Sequence, residues 1–225
     1  MKIPFLLSVG SFVIFSLTSC NQSGSDQNKS KADNTGNQND VVATYVADLT
    51  GLNSNVTNMT TAAQAKFILT KDSLFVTISA RGVAPGIDHW QHFHGFADNK
   101  SATCAETSDD QNKDGIIDVV ESGTASGTTM VPFNAEPADM NVGSDTYPKA
   151  GADSTYHYEA RIPLTQLKAS FAKAFCDSSL NLDKRVLYIH GVPLDTKLPT
   201  TVASLGTIPA TVTLPIACGK IVKIP

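Results

Sequence analysis

Across Ser73 to Ala80, Leu74, Val76 and Ile78 alternate with Phe75, Thr77 and Ser79. A period of two belongs to a strand with one buried face, because successive side chains leave a pleated backbone on opposite sides. Ala65 to Leu69 precedes this run, with Lys71-Asp72 between them as a turn, so the two form a pair of strands. Further strand signals cover Val42 to Leu49, Gln91 to Phe96, Arg185 to His190, Thr211 to Leu214 and Lys220 to Ile224, and Pro85-Gly86 marks a turn. One helix is predicted, with Pro163 as its first residue. Its Leu164, Leu167, Phe171 and Phe175 make one apolar stripe, read as core packing. Many short strands and one short helix make the chain mainly β, a sandwich or barrel.

The N-terminal segment reads differently. Lys2 precedes a mostly apolar run from Pro4 to Ser16, too short to span a bilayer as a permanent helix. Leu17-Thr18-Ser19-Cys20 then looks like a bacterial lipobox, in which Cys20 is acylated and becomes the mature N-terminus. Residues 1–20 are therefore expected to be a lipoprotein signal peptide. Two or more acyl chains hold a protein firmly where one holds it only marginally. In residues 21–40 Ala32 is the only apolar side chain. Such a stretch cannot offset its ordering entropy, so it is expected to be a disordered tether with a reach of about 25 Å.

Residues 41–225 suit one domain, and no later stretch approaches 18 apolar residues. The formal charge is −4 and no basic run occurs, which argues against nucleic acid. The expected location is the bacterial cell envelope, lipid-anchored at the outer membrane or cell surface, with the membrane and metal ions as partners. With Cys20 lipidated, Cys104, Cys176 and Cys218 make an odd count, so one disulfide and one spare thiol is the simplest expectation.

Three of the five histidines fall within six residues, His89-Trp90-Gln91-His92-Phe93-His94. On a strand His92 and His94 project together, with Phe93 toward the core. Two imidazoles one strand repeat apart can chelate a transition metal, and imidazole suits copper or zinc. His190 ends a strand in which Leu187 and Ile189 point inward, so it faces outside.

The segment His89 to Asn99 keeps the pattern H-x-x-H-x-H-x-F-x-D-N, and Cys104 follows it. Arg185 to His190 and the closing Ala217-Cys218-Gly219-Lys220-Ile221 come in the same order as in the Cu/Zn superoxide dismutase superfamily, which the chain thus resembles. That resemblance covers most of residues 41–225, strongly at both ends and poorly in the middle. It implies a Greek-key β-barrel or sandwich, with His92, His94 and His190 as copper ligands. It also implies that His89 braces the site without binding metal, and that Cys104 pairs with Cys218. His157 matches nothing in the family and is expected to be an exposed strand residue.

The resemblance breaks where the enzyme of that family needs it most. Between Cys104 and His190 the only histidine is His157, so the bridging histidine and the zinc ligands are missing and zinc is not expected at that site. Pro215 stands where the family has an anion-guiding arginine, and losing a fixed cation beside the metal costs electrostatic guidance.

In the gap stands a second metal motif, Asp110 to Glu121. It fits the twelve-residue calcium loop of EF-hands at every ligand position. Asp110, Asn112 and Asp114 are followed by the turn glycine Gly115, the carbonyl of Ile116, Asp118 and the bidentate Glu121. The flanks show no helical period, so an isolated calcium loop of structural role is expected. Two functions compete: a copper-binding, dismutase-like lipoprotein in superoxide or copper handling, and a non-catalytic, calcium-stabilised β-domain, similar to chordin-type domains, for surface interaction.

Overall fold

The computed structural model describes residues 40–225. The expected signal peptide, Cys20 and the expected tether up to residue 39 lie outside the described residues. The first three strands, β1 (Val41–Gly51), β2 (Ala62–Thr70) and β3 (Ser73–Arg81), form an antiparallel meander. The β2–β3 turn is held by the Thr70 hydroxyl, which accepts from the Ser73 N–H and shares its one proton between Asp72 Oδ1 and the carbonyl of Ser73. As the alternation demands, Leu74, Val76 and Ile78 are buried, and they pack with Ala47, Leu49 and Phe67.

The chain then crosses to β4 (Gln91–Gly95) and β5 (Thr128–Pro132), returns to β6 (Thr155–Pro163), and ends in β7 (Val186–His190), β8 (Pro215–Lys220) and β9 (Val222–Ile224). The nine antiparallel strands form one curled half-barrel in the order β5-β4-β7-β8-β1-β2-β3-β6, with β9 paired to β1. Its concave side carries one continuous core that joins Phe67, Leu74 and Ile78 to Phe93, Val131, Leu187, Ile189 and Ile216. Each such side chain contributes about 1.5–3 kcal/mol when fully buried.

Short helices α1 (Ser54–Thr57), α2 (Ser122–Ser126) and α4 (Ala210–Thr213) sit in loops, and α3 (Leu164–Phe175) is the one long helix. Its stripe of Leu164, Leu167 and Phe171 is buried against the core. Pro163 is not its first residue. At ψ 119° it keeps the extended backbone of β6 and serves as the N-cap.

Two other expectations need correction. Thr211 to Leu214 is not a strand. Pro209 and Ala210 carbonyls accept from Val212 and Leu214 N–H, so local bonds close a helical turn despite the β-branched residues. The strand β5, which ends in a proline, was not anticipated, and of β6 only His157 was expected on a strand, although Tyr156, Tyr158, Ala160 and Ile162 alternate along it with His157, Glu159 and Arg161. Cys104 is joined to Cys218, as the resemblance implied. Cys176, which that pairing set aside, is not a free thiol. Parity over a subset of cysteines does not decide pairing.

Candidate metal centre

β4 lies beside β7, with His92 opposite Tyr188 and His94 opposite Val186. Phe93, Leu187 and Ile189 face the core, so His92, His94 and His190 share the outer face. One ligand nitrogen from each ring lies within 4.8 Å of the other two, and all three rings are buried.

Two bulges shape this cluster. Phe93 is opposite Val131 but His94 is opposite Thr129, which leaves Met130 as an extra residue. Ile189 is opposite Ala217 but His190 is opposite Pro215, which leaves Ile216 extra. In both places the extra residue joins its neighbour in the core, Met130 beside Val131 and Ile216 beside Ala217. A bulge re-aims the side chains that follow it. Here each bulge falls at a clustered histidine.

The hydrogen bonds set the ring chemistry. His190 Nδ1 lies 2.7 Å from the Thr213 carbonyl oxygen. A carbonyl only accepts, so Nδ1 carries the proton and Nε2 is left with a bare lone pair. That Nε2 is buried without a hydrogen-bond partner. Leaving a buried acceptor unmet costs about 1–3 kcal/mol, and a cation would satisfy it. His92 Nδ1 and His94 Nε2 are 3.0 Å apart. Metal–nitrogen bonds of about 2.0–2.1 Å place neighbouring ligand nitrogens roughly 2.9–3.5 Å apart, so this pair already has ligand spacing.

Electrostatics keep the rings neutral. Burial, then charge on His190 and His94, holds His92 well below the usual imidazole range. Burial, then His190, pulls His94 down to about 3. The Gly127 carbonyl opposes this weakly, although His94 Nδ1 lacks a hydrogen bond of ordinary geometry. Burial brings His190 to about 4 against its bond to Thr213. Neutral imidazole is the form that binds metal.

The surroundings brace the cluster. His89 is fully buried, with Nδ1 3.1 Å from the His190 carbonyl and Nε2 2.8 Å from that of Ala84. It therefore holds the end of β7 rather than joining the ligands. The Tyr188 ring lies 4.8 Å from His94, and its hydroxyl meets Ser126 Oγ and the N–H of Ala105, tying α2 and the disulfide loop to β7. Arg185 is buried and donates to the carbonyls of Leu180 and Phe96 and to Asn99 Oδ1. Gly95 makes room for it, since a Cβ there would lie 2.5 Å from Arg185 Nη1. His157 stands apart on β6, bonded to Ser79 Oγ and Glu159 and open to solvent. Among the described residues no second group of three or more His, Cys, Asp or Glu side chains converges like the three histidines.

The acidic loop lies between the disulfide cysteine and β5. Gly115 turns it at φ 83°, and Asp110 accepts from the N–H groups of Asp114 and Gly115. Asn112 and Asp114 cap the N–H groups two residues on, those of Asp114 and Ile116. Glu121 accepts from Gln111, Asn112 and Asp118, and Asp118 from Val120, Glu121 and Ala203. The oxygens thus cap backbone donors, and each carboxylate keeps a further lone pair. The flanks, expected to be non-helical, each hold a turn of helix. Thr107–Asp109 is closed by a reciprocal Glu106–Asp109 capping box, and α2 follows Glu121. Local capping wins there without any apolar period.

Asn53, Thr129 and Thr213 went unrecognised in the sequence. Asn53 joins the acidic loop to β8 by three bonds, to the N–H and carbonyl of Ile117 and to the Pro215 carbonyl. Its signal was weak, an asparagine in a polar turn. A scan against protein-family models and a search of the curated proteins both find no match to this chain.

Proposed function

We propose that this chain is a copper-binding lipoprotein of a bacterial envelope, anchored through Cys20, whose domain resembles Cu/Zn superoxide dismutase and which serves superoxide or copper handling. One observation carries the proposal: His190 Nε2 is a buried, unprotonated, unpartnered nitrogen aimed into a cluster with His92 and His94. The donor set is three neutral imidazoles, which suits copper. Copper, when bound, supplies one-electron redox chemistry.

The protein's own groups define the rest of the role. Thr213 fixes the His190 tautomer, His89 holds the strand end that carries it, and burial keeps bulk water from the rings. Arg185 cannot guide an anion, because its guanidinium is buried and held by Leu180, Phe96 and Asn99. Pro215 supplies no charge beside His190. His157 is bonded elsewhere, so no histidine remains to bridge to a second metal. These features favour holding copper over fast dismutation.

The test uses the full-length chain purified in detergent, loaded with copper, beside a His92→Ala/His94→Ala double variant. About one copper per wild-type chain, lost in the variant, supports the site, and accompanying superoxide consumption assigns turnover to it. Copper binding without superoxide consumption makes the protein a carrier. Wild-type protein that holds no copper overturns the proposal.

A second reading is a calcium-stabilised β-domain for surface interaction, favoured by the course of the Asp110–Glu121 loop. The turn at Gly115 and its N–H bond to Asp110 follow the calcium-loop pattern. Calcium would be held by Asp110, Asn112, Asp114, Asp118 and Glu121 through the lone pairs that their backbone N–H bonds leave over, with the Ile116 carbonyl.

A further inference from the structure

We infer that Thr129 supplies an oxygen donor to the three-histidine site and biases it toward a divalent ion. This rests on the reading of that site as a copper centre.

The hydroxyl of Thr129 lies 3.2 Å from His94 Nε2, the same nitrogen that lies 3.0 Å from His92 Nδ1. An imidazole nitrogen has a single in-plane direction for its proton or its lone pair. It cannot make two good hydrogen bonds to neighbours on different bearings. A nitrogen and an oxygen closing on one imidazole nitrogen is the pattern of donors gathered round a shared point.

The placement comes from the bulge. Phe93 pairs with Val131, so an unbroken ladder would put Met130 opposite His94. Paired residues share a face, and a thioether would then stand beside the ligands. The extra residue sends Met130 into the core and brings Thr129 opposite His94 instead. The turn leading in depends on Gly127, at φ 75°, where a Cβ would come within 2.2 Å of the Gly95 carbonyl. The backbone is thus shaped to exchange a soft sulfur for a hard oxygen. Thr129 is half-buried on β5, which ends the sheet path.

The chemical consequence follows from donor hardness. Soft donors select monovalent copper, whereas oxygen donors suit harder, more highly charged ions. Three imidazoles with an added hydroxyl should therefore hold Cu2+ better than three imidazoles alone, with little effect on Cu+.

The experiment measures Cu2+ and Cu+ affinities by chelator competition, and the Cu2+ electron paramagnetic resonance spectrum, for full-length wild type, Thr129→Val and Thr129→Ser. The expected result is a loss of roughly tenfold in Cu2+ affinity for Thr129→Val, a size typical of groups supporting a metal site. Cu+ affinity should be unchanged, the Cu2+ hyperfine pattern altered, and Thr129→Ser should behave as wild type. If Thr129→Val binds both ions as wild type does, or loses both equally, the hydroxyl is not a donor and this inference is overturned while the copper site stands. Wild-type protein that holds neither ion overturns the copper site and this inference together.

Discussion

At the scale of single residues, the site depends on which nitrogen of each imidazole carries a proton. The Thr213 carbonyl decides this for His190, and burial keeps all three rings uncharged. The sign of the pH effect follows. Above about pH 6.5 the rings are neutral in both folded and unfolded chains, so they impose no penalty. As pH falls below that, the unfolded chain takes up protons that the folded chain refuses. Folding free energy therefore drops until the folded values, about 4 for His190 and about 3 for His94, are reached. The limiting slope is about 1.4 kcal/mol per pH unit for each histidine. Urea denaturation of metal-free protein at pH 7.5, 5.5 and 4.5 should show this decline, and His190→Gln should flatten it. A variant with the wild-type slope would show that His190 is not buried neutral.

At the scale of elements, the histidines lie on the outer face of β4 and β7, with β8 beside them. Cys218 is opposite Tyr188, and its disulfide to Cys104 spans 114 residues of chain. Together with Tyr188, that bond pins the loop that carries the acidic motif and α2. Chain-entropy arguments give roughly 4–5 kcal/mol for a loop of this length. Cys104→Ser/Cys218→Ser is expected to lose about 3–5 kcal/mol by urea denaturation and to bind copper more weakly. Full retention of both would mean that Tyr188 and Asn53 anchor the loop without the disulfide. The histidine pattern and its outward face were legible from strand alternation. The bulges at Met130 and Ile216 were not, because an extra residue is invisible until the partner strand is known, and β5 was not anticipated at all.

At the scale of the whole molecule, the acidic loop is a cross-brace. Asn53 ties it to β8, and Asp114 and Asp118 accept from Thr201 and Ala203 in the segment that leads to Thr213. If it binds calcium, a concentration one hundred times Kd adds about 2.7 kcal/mol, or roughly 5–10 °C in Tm for a domain of this size. Thermal melts with calcium and with EGTA should differ by that amount in the wild type and not in Glu121→Gln. Identical wild-type melts would remove calcium from the account. The anchor is tested in the cell. Wild-type protein should fractionate with membranes and Cys20→Ser with the soluble fraction, and a Cys20→Ser protein that stays membrane-bound would overturn the lipobox reading.

Local chemistry was enough to establish a mainly β chain, the inward row of β3, the helix stripe and the His92/His94 pair, since period and side-chain type are properties of a segment alone. The pairing of Cys104 with Cys218 and the remote partner His190 came from resemblance to a family. Only the tertiary structure decided that His190 Nε2 is an orphaned acceptor, that Thr129 replaces Met130 beside His94, and that Asn53 links the acidic loop to β8. Each of these depends on which strand lies opposite which, and a buried donor or acceptor is defined by partners far away in sequence.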